Sequence, residues 1–81
     1  MQAVVIPYHH QVRLGFETIE ATGIHQLKEK VRQVSLYATH VDVYLGPMPN
    51  RFKARVRRIR GFWDWKALER VVKESSLWPV L

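Results

Sequence analysis

The chain has 81 residues, 47% of them hydrophobic, and a formal net charge of +6 from 13 Lys+Arg against 7 Asp+Glu. This length supports one small domain spanning residues 1–81 with a single thin core, and the absence of cysteine excludes disulfides and thiolate metal sites. No apolar run approaches the roughly 20 residues of a membrane-spanning helix and the first residues lack a secretory h-region, so the expectation is a soluble, cytoplasmic protein with no membrane partner.

Ala3–Ile6 is a short apolar run stopped by Pro7, which predicts an edge strand whose proline ends the ladder. From Val12, the positions Val12, Leu14, Phe16 and Thr18 alternate with Arg13, Gly15, Glu17 and Ile19. This predicts a second strand from residue 12 to about 20, joined to the first by residues 7–11 as a hairpin loop. After Gly23, the residues Ile24, Leu27, Val31 and Val34 recur at three- and four-residue steps. They form one stripe of a helix running to about Leu36–Ala38, with Thr22 as N-cap and Lys28, Glu29, Lys30 and Arg32 on the wet side.

Gly23-Ile24-His25, between a strand and a helix start, resembles the active-site turn of the phosphocarrier proteins of the sugar phosphotransferase system. There a helix-terminal histidine carries a phosphoryl group, and the resemblance implies that role for His25. The family follows its histidine with a nearby arginine and proline, whereas Gln26-Leu27-Lys28 follow here, so a solvent-facing first-turn histidine is expected. His9 and His10 are neighbours on an extended chain and point apart, which disfavours chelation of one metal ion.

Val41, Val43 and Leu45 alternate with His40, Asp42 and Tyr44, a third strand closed by a turn at Gly46–Asn50. Arg51–Arg60 then places six positive side chains in ten residues with no acid, and removing these six leaves seven basic against seven acidic residues. Its alternation sets Arg51, Lys53, Arg55 and Arg57 on one side of a strand and Phe52, Ala54 and Val56 on the other. Core-facing residues must oppose core-facing residues. The predicted register therefore pairs Val43 with Ala54 and Val41 with Val56, leaving Pro47–Asn50 as the loop and setting Asp42 against Arg55 and Tyr44 against Lys53. A bulge at Arg57-Arg58 is predicted to turn Ile59 inward and keep Arg57, Arg58 and Arg60 outward.

Gly61 is expected to end that strand, and Asp64 to cap a second helix carrying Trp65, Leu68 and Val72 to about Ser75. The apolar Leu77–Leu81 should pack under this helix or add an edge strand. The fold class is α+β: a four-stranded, mainly antiparallel sheet with two helices on one face in ββαββα order. The alternative is a ferredoxin-like βαββαβ arrangement.

Phosphate is the natural counter-charge for an arginine-rich strand, because the guanidinium fork gives two directed hydrogen bonds to oxygen. The expectation is a non-enzymatic nucleic-acid-binding protein using Arg51, Lys53, Arg55, Arg57, Arg58 and Arg60 as phosphate contacts, with Tyr44 and Trp63 as stacking rings. Four neutralised phosphates would give a slope of log K against log salt of about −3 to −4. No paired carboxylates, Ser–His–Asp set or phosphate-cradling glycine loop is present, and no cofactor is implied. The alternative reading is a small regulator or inhibitor that docks its basic face on an acidic protein surface. A third is a homodimer that pairs sheet edges or buries Leu77–Leu81.

Overall fold

The computed structural model describes residues 1–46 and 52–75. Its elements are β1 (Gln2–His9), β2 (Val12–Arg13), β3 (Glu17–Glu20), α1 (Ile24–Val34), β4 (His40–Leu45), β5 (Lys53–Ile59), β6 (Phe62–Asp64) and α2 (Lys66–Ser75). All neighbouring strands are antiparallel, in the order β2-β1-β4-β5-β6, with β3 also paired to β1. The protein is a small α+β fold whose antiparallel sheet has six strands, not the four expected from the sequence. The loop at Pro47–Asn50, Arg51 and the Leu77–Leu81 tail fall outside the described residues.

Alternation along the strands divides the sheet into two faces. Ala3, Val5, Val41, Val43, Leu45, Ala54 and Val56 join Ile24, Leu27 and Val31 of α1 and Leu68 and Val72 of α2 in one core. The opposite positions, Tyr8, Asp42, Tyr44, Lys53, Arg55 and Arg57, therefore project from the face away from the helices. The β4–β5 register is the predicted one: Val41 opposes Val56, Asp42 opposes Arg55, Val43 opposes Ala54 and Tyr44 opposes Lys53. α2 lies antiparallel to α1 over this core, since Lys28 pairs with Glu69 at 3.2 Å and Arg32 lies 5.2 Å from the ring of Trp65.

The first strand departs from expectation. It runs through Pro7 and sits between β4 and the β2/β3 edge instead of forming an edge itself. Backbone direction explains how the proline is accommodated. Tyr8 O faces β4, accepting the Thr39 amide at 2.8 Å, whereas Pro7 O faces the other way, accepting the Leu14 amide at 2.9 Å. The missing proline N–H thus points where the partner strand is already interrupted. There, Val5 opposes Glu17 while Tyr8 opposes Arg13, so Ile6 and Pro7 face the three residues Leu14, Gly15 and Phe16.

That extra residue is a β-bulge, and Gly15 takes φ +134° within it, a conformation open mainly to glycine. The bulge also resets the phase. Ile19 opposes Ala3 and packs against the core, while Val12, Leu14 and Phe16, expected as an apolar inner face, remain exposed.

The bulge predicted at Arg57-Arg58 does not form. β5 continues in phase from its pairing with β4 into a hairpin with β6, in which Arg57 opposes Asp64, Arg58 opposes Trp63 and Ile59 opposes Phe62. Ile59 consequently stays outward and 53% exposed, and Arg58 turns to the helix side. Gly61 is not a terminator but half of a two-residue turn with Arg60. Both residues have positive φ, 53° and 85°, which is the twist a tight hairpin requires. An L-residue with a long side chain is strained there, so Arg60→Asn is expected to raise stability by about 0.5–1 kcal/mol in urea titrations; an unchanged or lower midpoint would show that the turn carries no strain.

The helix starts also differ from expectation. α1 begins after an extended Gly23 with no side-chain cap, because Gln26 Oε1 accepts the Thr22 amide at 2.8 Å in place of a Thr22 cap. It ends at Val34, earlier than the predicted 36–38. At the start of α2, Asp64 Oδ1 accepts the Lys66 amide at 3.2 Å, although Asp64 itself belongs to β6.

Candidate nucleic-acid interface

The open face can be built row by row from the register, because residues opposed across antiparallel strands project to the same side. One row crosses five strands: Arg13, Tyr8, His40, Arg57 and Asp64. The next holds Ile6, Asp42 and Arg55, and a third holds Thr18, Val4, Tyr44 and Lys53. Beyond Arg57, at the hairpin end, Ile59 and Phe62 complete the same face.

The middle row is governed by Asp42, which is only 2% exposed. Arg55 grips it with two hydrogen bonds, Nε to Oδ1 at 2.8 Å and a terminal nitrogen to Oδ2 at 3.1 Å, and Lys53 Nζ stands 3.6 Å from Oδ2. Burial pushes the Asp42 carboxyl up, but the hydrogen bonds and charge of Arg55, followed by Lys53, outweigh it and hold the group below its ordinary range. The pairing correspondingly raises Arg55. One carboxylate therefore masks Arg55 and partly masks Lys53, whose ammonium also lies 5.7 Å from the Tyr44 ring.

Arg57 is different. Asp64 stands opposite it but accepts the Lys66 amide on a carboxylate oxygen, and no ion pair joins Arg57 to any acid among the described residues. Beside it, His40 and Tyr8 stack with ring centroids 5.0 Å apart and planes 8° from parallel. Burial, then the charges of Arg55 and Arg57, lower the His40 pKa against the opposing pull of Asp42, so the ring is neutral at pH 7.

Two residues singled out by the sequence lie elsewhere. Arg58 points to the helix side, where it donates to the carbonyls of Ser35 at 3.0 Å and Leu36 at 3.3 Å and covers Trp63 at 4.4 Å. Its charge is spent on the two carbonyls that follow the C-terminus of α1, a structural latch. Trp63 packs against the core and against Trp65, with ring centroids 6.2 Å apart.

Lys53, Arg55, Arg57 and Tyr44 are brought together on the open face, Arg60 sits at the hairpin tip, and Arg51 lies outside the described residues. The sequence reading missed Tyr8, Arg13 and Phe62 as members of this face. Tyr8 was hidden behind Pro7. Arg13 would have been found by pairing it with Tyr8 across a two-residue His10-Gln11 turn. His25 is exposed on α1, on the helix side of the sheet.

Among the described residues there is no cluster of three or more His, Asp or Glu able to hold a metal ion, and no helix long and apolar enough to cross a membrane. Comparison with protein-family models, curated proteins and solved structures gave no significant match to this chain.

Proposed function

We propose that this chain is a non-enzymatic nucleic-acid-binding domain that lays its open sheet face against a phosphate backbone. The observation that carries the reading is Arg57: a strand cation without an acid partner among the described residues, set between the Tyr8–His40 stack and the positive-φ turn at Arg60. Lys53 and Arg13 extend the cationic path to either side. Arg55 supports the face by holding Asp42, and Arg58 supports it by tying β5 to α1. Contacts of this kind fix position on a backbone and carry little sequence information.

With Arg13, Lys53, Arg57 and Arg60 as phosphate ligands, binding to a single strand should show a slope of log K against log salt of about −3, shallower than six free cations would give. The triple substitution Arg13→Gln, Arg57→Gln and Arg60→Gln leaves the Asp42 and Ser35 contacts intact. It is expected to abolish a fluorescence-anisotropy response at low salt while circular dichroism stays unchanged. An affinity that ignores salt, a triple variant that binds as before, or a nuclease-treated pull-down that still retains one acidic protein would overturn the proposal.

A further inference from the structure

On the basic face, the described aromatic rings differ in what already occupies them. Tyr8 and His40 stack on each other, and Tyr44 has the Lys53 ammonium 5.7 Å from its centroid. On the helix side, Trp63 is covered by Arg58, and Trp65 faces both Arg32 and Lys28. Phe62 has no ring or cation partner among the described residues and is 79% exposed.

The position of Phe62 is fixed by short-range geometry. It opposes Ile59, itself 53% exposed, one row beyond Arg57, and follows directly on the Arg60-Gly61 turn. It also borders a hollow of about 320 Å³ shared with Leu36, Trp63 and Trp65. A bare phenyl ring held by a two-residue hairpin between two arginines keeps a large apolar surface in water, which folding alone does not favour. Bases offer a planar apolar face to such a ring, and phosphates offer the counter-charge to Arg57 and Arg60. A double helix hides its base faces inside the stack and presents only phosphates and groove edges.

We infer that the ligand of this face is a single strand, one of whose bases stacks on Phe62 while its phosphates are held by Arg57 and Arg60; this rests on the nucleic-acid reading above. Stacking on a side chain is tolerant of base identity, so the platform selects strandedness and not sequence. Phe62 is a diagonal cross-strand neighbour of Arg57, about 7–8 Å away, a separation suited to a base and a phosphate of neighbouring nucleotides.

The test uses the full chain with a single-stranded ten-nucleotide oligomer, an abasic oligomer of the same length and a duplex of the same sequence. The unsubstituted protein should prefer the base-bearing single strand to both others. Phe62→Ala should weaken that complex roughly five- to a hundred-fold and leave abasic binding unchanged, while Phe62→Trp should retain affinity and quench its added fluorescence on binding. Equal affinity for abasic and base-bearing strands, or a Phe62→Ala loss of equal size on both, would overturn the base platform and leave the phosphate reading standing. Failure of every oligomer to bind at low salt would overturn both.

Discussion

Replacing Arg55 with methionine is expected to destabilise the domain by about 2–3 kcal/mol near neutral pH, less than the roughly 3–5 kcal/mol of a fully buried pair because the Arg55 side chain is half-exposed. The loss comes from what is left behind. Asp42 would remain buried with Lys53, 3.6 Å away, as its remaining cation. In the unsubstituted protein the folded carboxyl lies below its unfolded value, so its contribution is complete above about pH 4 and disappears as pH falls through the folded value. In the variant, burial goes unopposed by Arg55 and raises the group, so the penalty is full at neutral pH and vanishes once both states are protonated.

Urea unfolding near pH 7 and near pH 3 should therefore show a gap between the two proteins that closes in acid; a gap of constant size would remove Asp42 from the account. Asp42→Asn complements this test. It frees Arg55 and Lys53, and nucleic-acid affinity should rise as stability falls.

Leu68→Ala is expected to cost about 3 kcal/mol, within the range for a fully buried leucine in a core too small to collapse around the gap. Leu68 is completely buried and, with Val72, carries the apolar stripe of α2, which packs mainly on β5 and less on β4. Ala54 and Val56 form the inner side of β5, and their small side chains leave the helix to fill the space above them. Loosening α2 therefore loosens the strand that presents Lys53, Arg55 and Arg57. Thermal unfolding should show a clear drop in midpoint for Leu68→Ala and almost none for Leu36→Ala, whose side chain is exposed. Equal drops would mean that α2 does not secure the sheet.

The β4–β5 pairing was readable from sequence because the apolar residues Val41, Val43 and Leu45 of β4 and Ala54 and Val56 of β5 recur at every second position and are buried. A one-residue slip would have put Arg55 or Lys53 inside. Where burial is one-sided or brief, alternation loses its meaning. Val12, Leu14 and Phe16 alternate as a core strand would, yet they occupy a sheet edge interrupted by a bulge, and nothing in their spacing marks the phase change before Ile19.

β6 escaped notice because three residues are too few to show a period, and the turn before it uses Arg60 where a shorter residue would have announced a hairpin. Arg58 was misassigned for a related reason. An arginine between Arg57 and Ile59 looks like surface charge until the carbonyls of Ser35 and Leu36 arrive from a distant part of the chain. The identity of the basic strand was therefore legible, but which of its charges are engaged within the fold needed the tertiary contacts.

The bulge opposite Pro7 also affects how the molecule behaves when crowded. An antiparallel sheet grows into a fibril by recruiting a new strand along a long, straight, unpaired border. Among the described residues one border is divided into segments of two and four residues by Leu14-Gly15-Phe16, and the other is split between the three-residue β6 and the four residues 53–56 of β5 that β6 does not reach. Neither offers a template long enough to seed polymerisation among the described residues. Copies brought to high local concentration therefore meet only short border segments.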